Sequence, residues 1–418
     1  MANTILVGDN DKFIENKYAI SELYMMIDRE SYELPVERVR SFKIENYYTE
    51  AIFPILKLNI LLESSRYYLM IKNKNKVKFK LRVQTYSHNV GEPENKSMYK
   101  DIINDVFVFY PEESGDDFDK DLRNAAGTGD KTNDLSEITN EIELFLFKDS
   151  VVTGLRSQIN LVLNNVNMTT AALYLLSTAG LKNILMSPMD NTTVYNNLIL
   201  PPLSIEKQIH YLESTYGFYK NGMIFFVGLL NTYLISYDGK CTAYKRNEWT
   251  DTVIYVMEKS NTQSSISSSI KKFNENRFYI NLPSNNLVIE NRGITDNAIS
   301  GIDATIIDSS NNSSNDVVTG ISTIGNANKR ILFNDVSNPY LSNIYRIRES
   351  SENVVMTFSV QNINMESFEP NKSVSMIFES PTLNSKYQGN YVVVSASHIF
   401  TGNNQMYELT SFITLKKI

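Results

Sequence analysis

One stretch of strict alternation, KVKFKLRVQT at Lys76–Thr85, constrains the fold more than any other. Val77, Phe79, Leu81, Val83 and Thr85 share one face. Lys76, Lys78, Lys80, Arg82 and Gln84 share the other. A period of two over this length is a strand with one buried and one wet face. Asn73-Lys-Asn supplies a turn before it, so Arg66–Lys72 is its expected hairpin partner. The basic stripe has two readings: a docking face for an acidic partner, or a solvated strand face. Antiparallel sheets that are half solvated favour the second.

Composition extends the β reading along the chain. Tyr (25) and Phe (20) are frequent, Trp is single, and Gly is modest at 17. With abundant Ser, Thr and Asn, that mixture favours strands and polar turns over helix bundles. A length of 418 residues with 42% hydrophobic content permits more than one core. The net charge of −7 argues against nucleic-acid binding as the main task, because phosphate neutralisation needs a basic surface. The single Cys, Cys241, excludes an intrachain disulfide framework and a multi-Cys zinc site, and fits a reducing compartment. The start, MANTILVGDNDKF, lacks the pattern of a signal peptide. The most apolar segment, Ala51–Leu62, carries Pro54, Lys57 and Asn59 and is too short to span a bilayer. A soluble protein made in a cytoplasm is expected.

Three regions follow. Residues 1–165 read as strands, with an acidic stretch rich in small residues at 111–140 that has nothing to bury. Asp116, Asp117, Asp119 and Asp121 in it miss the spacing of a calcium loop, so a solvated insertion is the expectation. Strand alternation resumes at Glu141–Phe147, and Val151–Leu163 is read as its continuation. Residues 166–262 form an α+β unit. Thr169 or Thr170 caps Ala171–Ala179 before Gly180, and Ser204 caps Ile205–Tyr216 before Gly217. Phe218-Tyr219 and Met223–Val227 are expected to pair around Lys220-Asn-Gly, and Thr232–Tyr237 with Cys241–Tyr244 around Asp238-Gly. Residues 263–418 return to strands after the linker-like 261–269, with Asn353–Val360, Ser373–Phe378, Gly389–Phe400 and Gln405–Leu415 the clearest. Asp308–Asp316 is a loop, and Pro370-Asn-Lys is a turn.

No constellation for chemistry stands out. The three His are far apart, and no nucleophile elbow, HExxH or Walker-type loop is present. His210 is a partly exposed structural His beside the apolar stripe of its helix. Cys241 is a small semi-buried side chain. Tyr211, Tyr216, Phe218 and Tyr219 are either a carbohydrate-stacking platform or core, and their spacing favours core. Nothing selects a pair of carboxylates for hydrolysis among 47 acidic residues. His398 shares a strand face with Val392, Val394, Ala396 and Phe400, opposite Tyr407, Leu409, Ile413 and Leu415, as a wall or subunit-contact residue. Its one functional reading is a pH-sensitive contact titrating about pH 5.5–7.5, since an ordinary His has a pKa of about 6.5. No catalytic, cofactor-binding or metal residue is assigned.

Three stretches together resemble the central baseplate hub proteins of contractile-tailed phages, a family related to the N-terminal part of type VI secretion spike proteins. The first is AIFPILKLNILLESSRYYLMIKNKNKVKFKLRV at 51–83. The second is AALYLLSTAGLKNILMSPMDN with LILPPLSIEKQIHYLESTYGFYKNGMIFFVGLLNTYLISYDGKCTAY. The third is FEPNKSVSMIFES with GNYVVVSASHIFTGNNQMYELTSFITLKKI. The resemblance implies a mainly β fold: two tube-type antiparallel β-barrels, 1–165 and 263–418, flanking a helix-hairpin domain at 166–262. It further implies a homotrimeric, non-enzymatic ring in the virion tail baseplate, made in the host cytoplasm. Such a ring adapts the sixfold tail tube to the threefold central spike, with an acidic channel through which DNA passes without specific binding. Its partners are the spike, the tube and neighbouring baseplate proteins, with no cofactor and no membrane insertion. A tail-associated cell-wall hydrolase and a peripheral receptor-binding protein are the alternatives.

Overall fold

Alternation sorts residues to faces, and the faces then select strand partners. The structure, a computed structural model, describes residues 14–89, 98–110, 139–220, 222–236, 252–257, 271–273, 277–281, 286–292, 304–308, 315–318, 329–333, 353–361, 365–403 and 406–417. The N-terminal part contains β1 (Ile14–Ile27), β2 (Glu30–Glu33), β3 (Val39–Tyr47), β4 (Ile55–Glu63), α1 (Ser64–Lys72), β5 (Val77–Asn89), β6 (Met98–Tyr110) and β7 (Thr139–Lys148). The middle contains α2 (Asp149–Arg156), β8 (Gln158–Asn167), α3 (Met168–Thr178), β9 (Ile184–Met186), β10 (Val194–Ser204), α4 (Ile205–Thr215), β11 (Met223–Val227) and β12 (Thr232–Ser236). The rest contains β13 (Thr252–Met257), β14 (Lys271–Phe273), β15 (Arg277–Asn281), β16 (Val288–Arg292), β17 (Ala304–Asp308), β18 (Asn315–Val318), β19 (Lys329–Phe333) and β20 (Asn353–Gln361). It ends with β21 (Ser373–Phe378), α5 (Pro381–Tyr387), β22 (Gly389–Asn403) and β23 (Met406–Lys417). The fold is mainly β.

The main sheet closes on itself. Hydrogen bonds run β22–β3–β4–β7–β6–β5–β1–β23, and β23 pairs back to β22. That circuit is an eight-stranded barrel, and closure leaves its strands no free edge. Its seam is the C-terminal hairpin. The outer half of β22, Ser395–Thr401, pairs with β3, and Tyr407 of β23 pairs with Tyr18 of β1. The inner half of the hairpin belongs elsewhere. Gly389–Val392 pair with β21, and Thr410–Lys416 pair with β20. From there the sheet extends through β13, β15 and β14 on one side and β16 on the other. The register of β22 shifts between Val393 and Ser395, a bulge that divides the two halves.

Several expectations are corrected. Arg66–Lys72 is helical and lies in α1. Its burial of Ser64, Tyr67 and Met70 has a helical spacing of three. The partners of β5 are β1 and β6. Val151–Leu163 does not continue β7. Val151, Val152 and Leu155 are buried on α2, and β8 starts after it. The cap of α3 is Asn167, whose side chain accepts from the Thr170 amide at 2.9 Å. Phe218-Tyr219 is not a strand, and β11 pairs with β12. The pairing is not all antiparallel: β13 runs parallel to β15 and β21, and β9 to β12. Parallel neighbours need a long crossover, so local alternation does not reveal them. β13 lies within the span read as the middle unit yet joins the main sheet. The bulge breaks the face proposed for His398: Val393, not Val394, is buried with Ala396, His398 and Phe400. Of the acidic stretch 111–140, residues 139–140 are not loop but the start of β7, while 111–138, Cys241–Tyr244 and the linker 261–269 lie outside the described residues.

The middle unit has its own core, built by α2, α3 and α4 over β8 and β10. Ile205, Ile209 and Leu212 of α4 are fully buried, as the stripe requires. β11 and β12 form the wall between the two cores. Ile224, Phe226, Tyr233 and Ile235 face the barrel side, while Phe225, Val227 and Leu234 face the helices. A sheet covered on both faces reads as near-continuous apolar sequence, here MIFFV and TYLIS.

Candidate assembly surfaces

The barrel interior is solid where the hairpin enters it. Tyr18, Phe42, Phe400 and Tyr407 come from the four strands at the seam. The Phe42 and Phe400 rings stack at 3.9 Å, Tyr18 meets Phe400 edge-on at 5.0 Å, and Phe42 meets Tyr407 at 5.5 Å. Buried beside them, His398 Nδ1 lies 2.8 Å from Ser411 Oγ. Burial holds the His398 pKa down to about 4, so the ring is neutral. Eight strands enclose a lumen just wide enough for side chains, so one barrel is a packed core and not a pore.

The basic stripe of β5 is paired within the chain. Lys76 meets Asp28 at 3.0 Å, Lys78 meets Asp149 at 2.7 Å, and Lys80 meets Glu22 at 2.7 Å. Arg82 meets Glu22 at 3.0 Å and grips Asp101 with two parallel bonds of 3.1 Å. The hydrogen bonds from Lys80 and Arg82 hold the Glu22 carboxyl below its ordinary range, and Arg82 and then Gln84 do the same for Asp101. The stripe is thus a belt whose cations already face carboxylates, which supports the solvated-face reading over an acidic docking partner.

The outer face of the shared hairpin is different. One cross-strand row runs Tyr47–Ser395–Thr414–Thr357–Val288, and a neighbouring row runs Glu45–Ser397–Phe412–Ser359. These two rows carry hydroxyls with Tyr47, Phe412 and Val288 exposed among them, and are bordered by Glu45 at one margin and by the row of Glu290 and Lys416 on the other. Thr357 and Thr414 hydroxyls lie 3.3 Å apart. Glu45 is itself buried and paired with Lys43 and with Lys57, the latter at 3.3 Å.

A surface poor in charge belongs to the β8–β10 ribbon. Val162 and Ile199 are directly opposite each other, 51% and 58% exposed, and Val194 is also exposed. From Ser157 to Ser204 only Lys182 and Asp190 carry charge. Among the described residues neither strand of this ribbon has a further strand partner.

A buried polar joint locks the middle unit onto the barrel. Tyr233 donates to Glu369 Oε1 at 2.8 Å, and Tyr48 donates to the Phe368 carbonyl at 2.9 Å. Burial, reinforced by the Glu369 charge, raises both phenols above their ordinary range. Asn371, in the left-handed region at φ 57°, donates from its side chain to the Ser236 carbonyl at 2.6 Å. The bulge in β22 leaves the Val394 carbonyl to accept from the Tyr48 amide at 3.1 Å. Pro370-Asn-Lys was legible as a turn, whereas the role of Glu369 and Tyr233 had no local signal.

Other singled-out residues fall into place. His210 is exposed on α4, its ring 6.5 Å from Phe225. Phe218 and Tyr219 are fully buried, and the Tyr219 hydroxyl lies 3.0 and 2.8 Å from the Ser187 and Leu234 carbonyls, which makes them core. Tyr216 packs edge-on against Tyr195 and Tyr211. Among the described residues no group of three or more His, Cys, Asp or Glu is placed to hold a metal ion, and no helix is long and apolar enough to cross a membrane.

These features define a mainly β protein in which one long hairpin closes a filled barrel and carries the same sheet on beyond it. The family model of the Bacteriophage PBS1 gene 109 protein matches residues 5–418, and the chain belongs to that family. Among solved structures it is similar to a tail protein from Neisseria meningitidis MC58, with 8% identity, a TM-score of 0.45 and 96% of each chain covered. It is also similar to the 43 kDa tail protein of prophage MuSo2 from Shewanella oneidensis, with 10% identity, a TM-score of 0.45 and 95% and 96% covered. A third is the E. coli c3393 protein, a component of the type VI secretion system, with 8% identity, a TM-score of 0.38 and 96% and 77% covered. No curated protein matches the chain.

Proposed function

We propose that this chain is a structural subunit of a phage tail baseplate hub. Three copies form a ring that adapts the sixfold tail tube to the threefold spike and surrounds a channel for DNA. The observation that carries this reading is the hairpin β22–β23, which closes one barrel with its outer half and carries the sheet beyond it with its inner half. If the strands beyond the hairpin build a second barrel-like unit beside the first, three chains would give six units around a ring. The filled interior around Phe42 and Phe400 supports a channel between copies and not through one barrel. Family membership suits a virion location, with synthesis in the host cytoplasm and contacts to spike, tube and neighbouring baseplate proteins. On this reading the chain performs no catalysis. DNA transits without specific binding, consistent with a net charge of −7.

Electron microscopy of the full chain with its spike partner tests this directly. The expected particle is a threefold ring with a central channel. A chain that remains monomeric beside the spike would sink the proposal.

A further inference from the structure

We propose that the β11–β12 hairpin of the middle unit is a splint across the bulge in β22, fixing the angle between the barrel and the sheet beyond it. The ring reading gives that angle a purpose, because a ring closes only when its units meet at one angle. The inference itself stands on contacts within one chain.

The point that needs support is where β22 changes neighbours. Along one edge its partner is β21 up to Val392 and β3 from Ser395 onward. Val394 is the extra residue between them, since Val393 lies opposite Leu415 and Ser395 opposite Thr414. A bulge bends its strand and raises the local twist. A ribbon with a barrel on one side of such a bend and further strands on the other has a natural hinge there.

Backbone bonds bring two chain segments to that hinge. The Val393 amide donates to the Lys372 carbonyl at 3.2 Å, and the Val393 carbonyl accepts from the Asn371 amide at 3.0 Å. The Val394 carbonyl accepts from the Tyr48 amide. The approach to β21 and the end of β3 therefore abut at the bulge, and the Tyr48 hydroxyl bonds across to the Phe368 carbonyl.

One element of the middle unit holds both segments. On the β3 side, the Val227 amide donates to the Ile52 carbonyl at 2.6 Å, and the Tyr48 ring meets Phe226 edge-on at 4.9 Å. On the β21 side, Tyr233 donates to Glu369 and Asn371 donates to the Ser236 carbonyl. Phe226 and Val227 lie on β11, Tyr233 and Ser236 on β12, and those strands are paired with each other. The two anchors are thus one body spanning the bend. Directional bonds in a buried site specify one packing, where apolar contact alone tolerates several.

Distance measurement between two spin labels tests the splint. The labels go on Tyr68→Cys, in α1 on the barrel, and Ser385→Cys, in α5 beside β21, both exposed, in a Cys241→Ser chain. Labelled chain is diluted into an excess of unlabelled chain, so that only distances within one chain are read. The native distribution is expected to be narrow. Asn371→Gly keeps the left-handed backbone at φ 57° and removes the side-chain bond to Ser236, and Tyr233→Phe removes the bond to Glu369. Each should broaden the distribution roughly twofold, because a joint without its directional bonds samples more than one packing. Gly154→Ala crowds the helices of the middle unit instead, and should leave the distribution narrow. Joint variants as narrow as the native chain would overturn the splint, as would equal broadening by Gly154→Ala. A native chain that keeps the narrow distribution but forms no ring with its spike would remove the ring reading and leave the splint standing.

Discussion

His398 and Ser411 face each other across the C-terminal hairpin, Nδ1 2.8 Å from Oγ, both buried inside the barrel. The pair sits one step from the stacked rings of Phe42 and Phe400, where the last strands of the chain close on the first.

That position gives the barrel an acid limit. The unfolded imidazole binds a proton near pH ~6.5, whereas the folded one binds it only near about 4. Between those values the unfolded state holds the extra proton. Stability is therefore intact above ~6.5 and falls as the pH drops through that window. The full loss is about 3 kcal/mol. Urea unfolding of the native chain and His398→Gln at pH 7 and pH 4.5 should show the native chain losing more. Parallel losses would refute the assignment. The window of pH 5.5–7.5 expected for an ordinary His is thus too high.

Glu213 sets the opposite limit. Its side chain at the end of α4 accepts from the Phe218 amide at 2.6 Å, and burial pushes its pKa up to about 7. The folded state therefore favours the protonated acid. Its contribution is complete below the unfolded value of ~4.3 and is lost as the pH rises through about 7. Glu213→Gln keeps the acceptor and removes the charge. It should gain about 3 kcal/mol on the native chain by pH 8 and little at pH 4. Equal melting temperatures at pH 8 would count against it.

Gly154 allows α2 to touch the end of α3. A Cβ there would lie 2.0 Å from the Ala179 carbonyl oxygen, a backbone atom that cannot step aside. Gly154→Ala should destabilise by about 1–3 kcal/mol, the usual range for overpacking. Gly180→Ala meets no neighbour but holds φ at +72°, so its strain is about 1 kcal/mol. Thermal melts of the two variants should rank them in that order.

The Phe42–Phe400 stack joins β3 to β22. Phe400→Ala removes a ring in contact with both Phe42 and Tyr18 and should cost about 3–5 kcal/mol. A loss below about 1 kcal/mol would mean that the seam is not packed as described.

The seam also predicts how the chain divides. Residues 1–165 alone leave β1 and β3 without their hairpin partners, and exposed edges invite aggregation. That fragment should be insoluble or unfolded when expressed alone, and should be rescued by the segment 365–418 supplied in trans. A soluble, cooperatively folding 1–165 fragment would show that the hairpin is dispensable.

The sequence by itself determined strands and their faces where alternation was long. Val77, Phe79, Leu81 and Val83 are buried as the period of two requires. The last four strands also lie close to where their patterns placed them. It determined two of the three helices of the middle unit, α3 and α4, because stripe and Gly stop agreed, and missed α2. It did not separate helix from strand at Arg66–Lys72, where a short apolar run satisfies both periods. Only the tertiary structure decided the partners. Alternation assigns a residue to a face but says nothing about which edge lies beside it, so the contact of Asn46 with Ala396, 350 residues apart, left no local trace. The same holds for charge. Lys80 and Arg82 read as a bare stripe until β1 and β6 brought carboxylates to them, and His398 read as an ordinary imidazole until barrel closure took it out of water. Pairing and desolvation are properties of the closed sheet, and they exist only once distant strands have met.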